Sequence, residues 1–162
     1  ALGATTIGTA GGAEKCALAK ANGFDHVIDY TSTDFEAEVM RLTNGEGVTV
    51  AYDSVGNDTM ARTITSTKRR GTIIAFGQSS GPYADFKITD LSKGSYYMSR
   101  PTLFHFVGDR SWLDAASVKL FKAVTDGTIN VSINQRFALE DVAKAHDALT
   151  GRATTGCTIL TV

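Results

Sequence analysis

Short strands alternating with helices predict an α/β fold, a doubly wound parallel sheet covered by helices on both faces. Three observations carry that expectation. The first 77 residues run strand, helix, strand, helix, strand, helix, strand, each pair separated by a βαβ spacing. Two of the strands, Val48-Thr49-Val50-Ala51-Tyr52 and Thr72-Ile73-Ile74-Ala75-Phe76, are nearly continuous apolar runs, the pattern of parallel strands buried on both sides. The composition, 43% hydrophobic and 20% charged with 16 glycines, suits one compact domain spanning residues 1–162.

Each element has its own signal. Ala4 to Ala10 is a strand by its β-branched Thr5-Thr6-Ile7 and Thr9, closed by Gly11-Gly12. Alanine-rich Ala13 to Ala21 is a helix capped by Asn22-Gly23. His26-Val27-Ile28 is a short strand. Thr33 with Glu36 forms a capping box, and Phe35, Val39 and Leu42 make the apolar stripe of the helix it opens. Asp53-Ser54-Val55-Gly56 turns the Val48 strand into a helix over about residues 58–67, and Gly71 opens the next strand, which Gly77 stops. Past Gly81-Pro82 a polar loop leads to Ser95-Tyr96-Tyr97-Met98 and then Arg100-Pro101. A long helix starts with Ser111 and Asp114 as its capping pair, ends at Gly127, and uses Leu113, Leu120, Phe121 and Val124 as its core face. A strand or extended segment beginning at Val131-Ser132-Ile133, a helix marked by Val142, Ala145, His146 and Leu149, and a strand from Cys157 to Val162 complete the order.

Several function classes find no support. The formal charge is −1 with both signs scattered, which gives no basic face for nucleic acid. No apolar run reaches the roughly 18 residues of a membrane span, and signal-peptide features are lacking, so a cytoplasmic location is expected. Cys16 and Cys157 stand apart without a CxxC pair and are expected to be buried thiols; His26, His105 and His146 show no metal or triad spacing, and His146 is expected to pack in the core. There is no GxSxG nucleophile elbow.

The order of elements is that of a Rossmann-type nucleotide-binding domain lacking its first strand and helix, because Ala1-Leu2-Gly3-Ala4 reads as a helix end entering the second strand. Gly8 to Gly12 follows that second strand, so it is not the pyrophosphate loop. At this position NAD-specific domains place an acid for the ribose hydroxyls, whereas NADP-specific ones receive a 2′-phosphate. Here small residues, Thr9 and Gly11 among them, leave room, Lys15 brings a positive charge one turn into the helix, Glu14 is the one acid nearby in sequence, and helix-start amides are expected to face outward. Lys15 reads equally as a solvated helix residue. Tyr30 closes the third strand, where its ring can stack on adenine or serve as an interfacial core residue. Asp53 is read as a cap for the amides of its turn. Ser54, Val55 and Gly56, with Phe76 and Gly77, stand at successive strand ends along the ribose and nicotinamide path, or are ordinary turns.

Leu2-Gly3-Ala4, Ile7-Gly8-Thr9, His26-Val27-Ile28-Asp29-Tyr30, Tyr52-Asp53-Ser54-Val55-Gly56, Ser80-Gly81-Pro82, Arg100-Pro101-Thr102-Leu103 and Arg152-Ala153-Thr154-Thr155-Gly156 together resemble the NADPH:quinone oxidoreductases, the zeta-crystallin-like branch of the medium-chain dehydrogenase/reductase superfamily. The likeness covers the family's C-terminal half. It implies NADP(H) as cofactor, a 2′-phosphate held by Lys15, Tyr30 and Arg152, and Phe76, Gly77, Ser79 and the Arg100 to Leu103 stretch beside the nicotinamide half. Gln78 stands where relatives often have asparagine. The resemblance also implies hydride transfer to a quinone without catalytic zinc, no catalytic side chain, and a homodimer through the sheet edge at Ser95 to Met98. With the first strand absent, an unpaired sheet neighbour is expected. Reduction of an activated alkene and a non-catalytic nucleotide-binding or structural module are the alternatives. A methyltransferase would want an acid where the chain has Thr9 and Gly11.

Overall fold

The computed structural model describes residues 2–151 and 153–162. They divide into two compact units, Thr5–Leu113 and Asp114–Val162 with the short stretch before Thr5.

In the larger unit β1 (Ile7–Ala10) and β2 (His26–Asp29) pair in parallel through α1 (Ala13–Ala21). A second parallel sheet has the order β3 (Val48–Asp53), β4 (Thr67–Ala75), β5 (Tyr97–Ser99). α2 (Phe35–Leu42) leads from β2 to β3, α3 (Met60–Thr65) from β3 to β4, and a 3₁₀ helix, Ile88–Lys93, lies between β4 and β5. α4 (Leu103–Val107) follows, and α5 (Arg110–Thr125) starts in this unit. β1 and β3 each pair on one side only among the described strands. The expected βαβ alternation and parallel sheets are therefore present.

Two apolar clusters hold this unit. Ile28, Phe35 and Val39, with Ile7, Leu42 and Val48 against them, join β1 and β2 to α2 and the start of β3. Met60, Ile64, the fully buried Ile73 and Ala75 join α3 to β4, with Tyr96 and Met98 against them. Each of the buried Ile, Val, Phe and Met side chains contributes about 1.5–3 kcal/mol of burial free energy. The Arg62 guanidinium on α3 lies 4.5 Å over the Phe35 ring on α2.

Several details depart from expectation. The α2 cap is Asp34, not Thr33: the helix begins at Phe35, and the Asp34 carboxylate accepts from the Glu36 amide at 3.1 Å. β4 begins at Thr67, four residues before Gly71, because the strand passes through a register shift in which Arg70 adopts φ 60°. β3 is not covered on both faces by the described residues; Val50 and Tyr52 are exposed. α5 starts at Arg110, and its first-turn amides at Ser111 and Trp112 bond the Asp109 carboxylate, so Asp109 caps it rather than Ser111 with Asp114. α4 had no sequence signal. The helix face expected in the core is exposed at Leu120, Phe121 and Val124, whereas Leu113 is partly buried.

In the smaller unit β6 (Ile133–Ala138), α6 (Val142–Thr150) and β7 (Cys157–Thr161) form a parallel βαβ hairpin. Ala145 is its buried helix position, and His146, one residue on, faces solvent instead of packing. Cys157 is exposed and Cys16 half-buried, so the expectation of two buried thiols fails. Among the described residues no helix is long and apolar enough to cross a membrane.

Candidate functional site

The turn from β1 into α1 is shaped by what lies above it. A Cβ on Gly11 would stand 2.7 Å from the Tyr30 hydroxyl and 3.0 Å from its Cζ, so the ring tip of Tyr30 rests on the bare glycine. Gly12 holds φ 89°, ψ 155°, a backbone that favours glycine. Its amide does not face outward as expected; it donates to Asp29 Oδ1 at 3.0 Å. The same oxygen accepts from the Thr31 amide at 3.0 Å and the Thr31 hydroxyl at 2.6 Å. Those donors, the Thr31 hydroxyl foremost and then the Gly12 and Thr31 amides, hold the Asp29 carboxyl below the usual carboxylate range against the opposing effect of burial. Glu14 is thus not the one acid near this turn; Asp29 reaches it from the end of the neighbouring strand. Lys15, half-buried, is the third residue of α1. Thr9 is an exposed residue of β1 in register with Ile28. Beneath the turn, Cys16 Sγ lies 3.8 Å from the Ala10 carbonyl, and burial, then the Asp29 charge, pushes its thiol pKa up.

The turns after β3 and β4 are laced together. Asp53, buried at the end of β3, accepts from the Val55 and Gly56 amides at 2.8 and 2.9 Å through Oδ1, and from the Thr59 and Thr63 hydroxyls at 2.8 and 2.7 Å through Oδ2. Its expected capping role is borne out, with two hydroxyls that sequence reasoning missed. Across the gap, the Phe76 amide donates to the Asp53 carbonyl at 2.9 Å, Ser79 to Ser54 at 3.2 Å and Ser80 to Val55 at 2.8 Å. A Cβ on Gly56 would come within 2.4 Å of the Gly81 carbonyl, and one on Gly77 within 2.5 Å of the Ser54 carbonyl, so both positions require glycine. The half-exposed Phe76 ring meets Tyr52 edge-on at 6.4 Å.

From the end of β5, the Arg100 guanidinium spans the β4 turn, donating to the carbonyls of Ala75 at 2.9 Å and Gly77 at 3.3 Å and to Gln78 Oε1 at 2.9 Å. Leu103 opens α4 and is largely exposed. The structure therefore brings Gly11 and Tyr30 together beside the helix that carries Lys15, and separately interlocks Ser54, Val55 and Gly56 with Phe76, Gly77 and Ser79. Arg152 lies outside the described residues.

Both groups of turns stand at the carboxyl ends of parallel strands, where open α/β sheets hold their ligands, and this defines a Rossmann-type nucleotide-binding fold. Known proteins agree with it. The sequence is 41% identical to a quinone oxidoreductase of Pseudomonas aeruginosa over 99% of this chain and 50% of that protein. It is 38% identical to a 2-haloacrylate reductase of a Burkholderia species over 98% of this chain and 48% of that one. The structure of Escherichia coli quinone oxidoreductase in complex with NADPH superposes with a TM-score of 0.94 at 38% identity, covering 99% of this chain and 50% of that chain. The profile of the zinc-binding dehydrogenases matches residues 1–112, and the chain belongs to that family, within the medium-chain dehydrogenase/reductase superfamily. It spans about half the length of the curated relatives it matches. Although the family's name refers to zinc, no three His, Cys, Asp or Glu side chains gather into a metal site among the described residues, so these residues do not fit that ion.

Proposed function

We propose that this chain is the NADP(H)-holding half of a cytoplasmic, zeta-crystallin-like quinone oxidoreductase that passes hydride from NADPH to a quinone. The observation that carries the proposal is the rest of Tyr30 on Gly11 at the start of the helix bearing Lys15. In this reading Thr9 and Gly11 leave room for the 2′-phosphate, Lys15 supplies its countercharge and the Tyr30 hydroxyl a hydrogen bond. Asp29 is beside the site, yet its Oδ1 is engaged by three donors of its own chain, an arrangement that spends the acid on the turn rather than on a ribose diol. Ser54, Val55 and Gly56 line the ribose path; Phe76, Gly77, Ser79 and Leu103 border the nicotinamide half. Bound NADPH supplies the hydride, and the protein's part is to orient the two reactants and exclude water. No side chain is assigned a catalytic role.

The kinship with quinone oxidoreductases supports a quinone as acceptor, and the 2-haloacrylate reductase among the relatives supports an activated alkene as the second reading. β5 pairs only with β4 among the described strands and exposes Tyr97, which supports a homodimer formed through that edge.

Titration of the chain with NADPH and NADH, repeated on Lys15→Ala, tests the cofactor reading. NADPH is expected to bind more tightly, and the substitution to weaken it about 10- to 100-fold while leaving NADH nearly unchanged, the scale of a charge-assisted hydrogen bond. Binding of neither, or equal loss of both, overturns the proposal.

A further inference from the structure

The interlocked turns fix the backbone around Gln78 from two sides. Its carbonyl accepts from the Gly81 amide at 2.9 Å, and its Cα lies against Gly56, where a Cβ would approach it to 3.1 Å. A long, exposed glutamine side chain on such a turn would ordinarily sample many rotamers. Here one end is tied: Oε1 accepts from Arg100 Nη2 at 2.9 Å, while Nη1 of the same guanidinium grips the Ala75 and Gly77 carbonyls. An arginine offers only donors, so the amide oxygen must face it, and the Nε2 amino group, with two N–H donors, is turned away from Arg100. The amino group accounts for neither of the bonds that secure the turn. The planar fork that sets this orientation reaches across from β5 to the end of β4, and no single point charge could hold all three oxygens at once.

We propose that Arg100 is a positioning residue that presents the Gln78 Nε2 as a fixed donor to a carbonyl oxygen on the nicotinamide half of the bound cofactor. The inference rests on the NADP(H) reading above and extends it, assigning the donor to a side chain that lies next to Gly77 and Ser79 and giving Arg100 a task beyond holding the turn. Because the donor is oriented before the ligand arrives, the ligand does not have to order it, which is how preorganisation raises affinity.

The test compares two ligands, NADPH and adenosine 2′,5′-bisphosphate, which carries the 2′-phosphate but no nicotinamide. Calorimetric titration of the wild-type chain, Arg100→Met, Gln78→Ala and the double variant should show NADPH affinity lowered about fivefold in each single variant, the scale of one neutral hydrogen bond. The double variant should lose no more than either single one, since Arg100 acts through Gln78. Adenosine 2′,5′-bisphosphate should bind all four alike. Unchanged NADPH affinity, equal weakening of both ligands, or additive losses in the double variant would each overturn the inference while leaving the cofactor reading in place. If the wild-type chain binds neither ligand, the cofactor reading itself falls, and this inference with it. Thermal melts accompany the titrations; Gln78→Ala removes an exposed side chain, so it carries the comparison on its own if Arg100→Met melts early.

Discussion

A single methyl group at Gly11 would collide with the Tyr30 hydroxyl, and the collision decides more about binding than about folding. Gly11 has an ordinary backbone, and Tyr30 is nearly half exposed at 45%, so its ring can swing aside. Gly11→Ala is therefore expected to cost less than about 1 kcal/mol in stability, yet to displace the hydroxyl from the proposed phosphate position. Urea unfolding should show a nearly unchanged midpoint, and titration should show NADPH weakened several-fold; retained affinity would separate Tyr30 from the site. The sequence displayed both residues but not their contact. Glycine beside a strand end signals a turn, and nothing local says that a tyrosine from the next strand will cover it. The reach of Asp29 to that turn is hidden in the sequence for the same reason: proximity across two parallel strands depends on register, and the one local signal is an acid at a strand end just before Tyr30 and Thr31. Arg152 entered by resemblance alone.

Between elements, Asp53 is the point where β3, its turn and α3 are tied together. Burial works against its charge and is the largest single influence, but the Thr63 hydroxyl, Gly56 amide, Thr59 hydroxyl and Val55 amide together hold its pKa below the ordinary value. A carboxyl depressed in the folded state contributes stability that is present above its unfolded value of about 3.9 and lost as the pH falls through the lower folded value. Asp53→Asn should destabilise the chain by about 1–3 kcal/mol at neutral pH, because the amide cannot accept at both ends. It should also flatten the loss of stability below about pH 4; an unchanged acid limb in denaturant titrations would refute that account. At this scale the sequence was most legible where apolar runs met glycine, as at Ile73 to Gly77, and where alanine density met Asn22-Gly23. It was least legible where a neighbour chose between adjacent polar residues: Asp34 over Thr33, Asp109 over Ser111. The front of β4 escaped because Lys68-Arg69-Arg70 carries no apolar alternation, and pairing with β3 supplies the strand instead.

Across the whole chain, the apolar periodicity of α5 was correctly helical but its destination was not, since amphipathicity reports which side is oily and not what lies opposite. Leu103, Phe104, Phe106 and Trp112 in the larger unit are all exposed, with the Phe106 and Trp112 rings 5.3 Å apart. Val118, Leu120 and Phe121 are exposed as well. Apolar surface of this kind favours association, and so do the strands that pair on one side only, β1, β3 and β5 among them. Sedimentation at rising concentration should show species heavier than 17.2 kDa, with binding of an apolar dye that fades as they form; a strictly monomeric chain that ignores the dye would contradict this.

The two cysteines give the molecule a chemical clock with two rates. Cys157 is exposed, whereas Cys16 is half-buried beneath the Gly11-Gly12 turn with its thiolate disfavoured by burial and by Asp29. An alkylating reagent should therefore tag Cys157 first and leave Cys16 as a slow reporter, whose rate falls further whenever another negative charge settles on the turn above it.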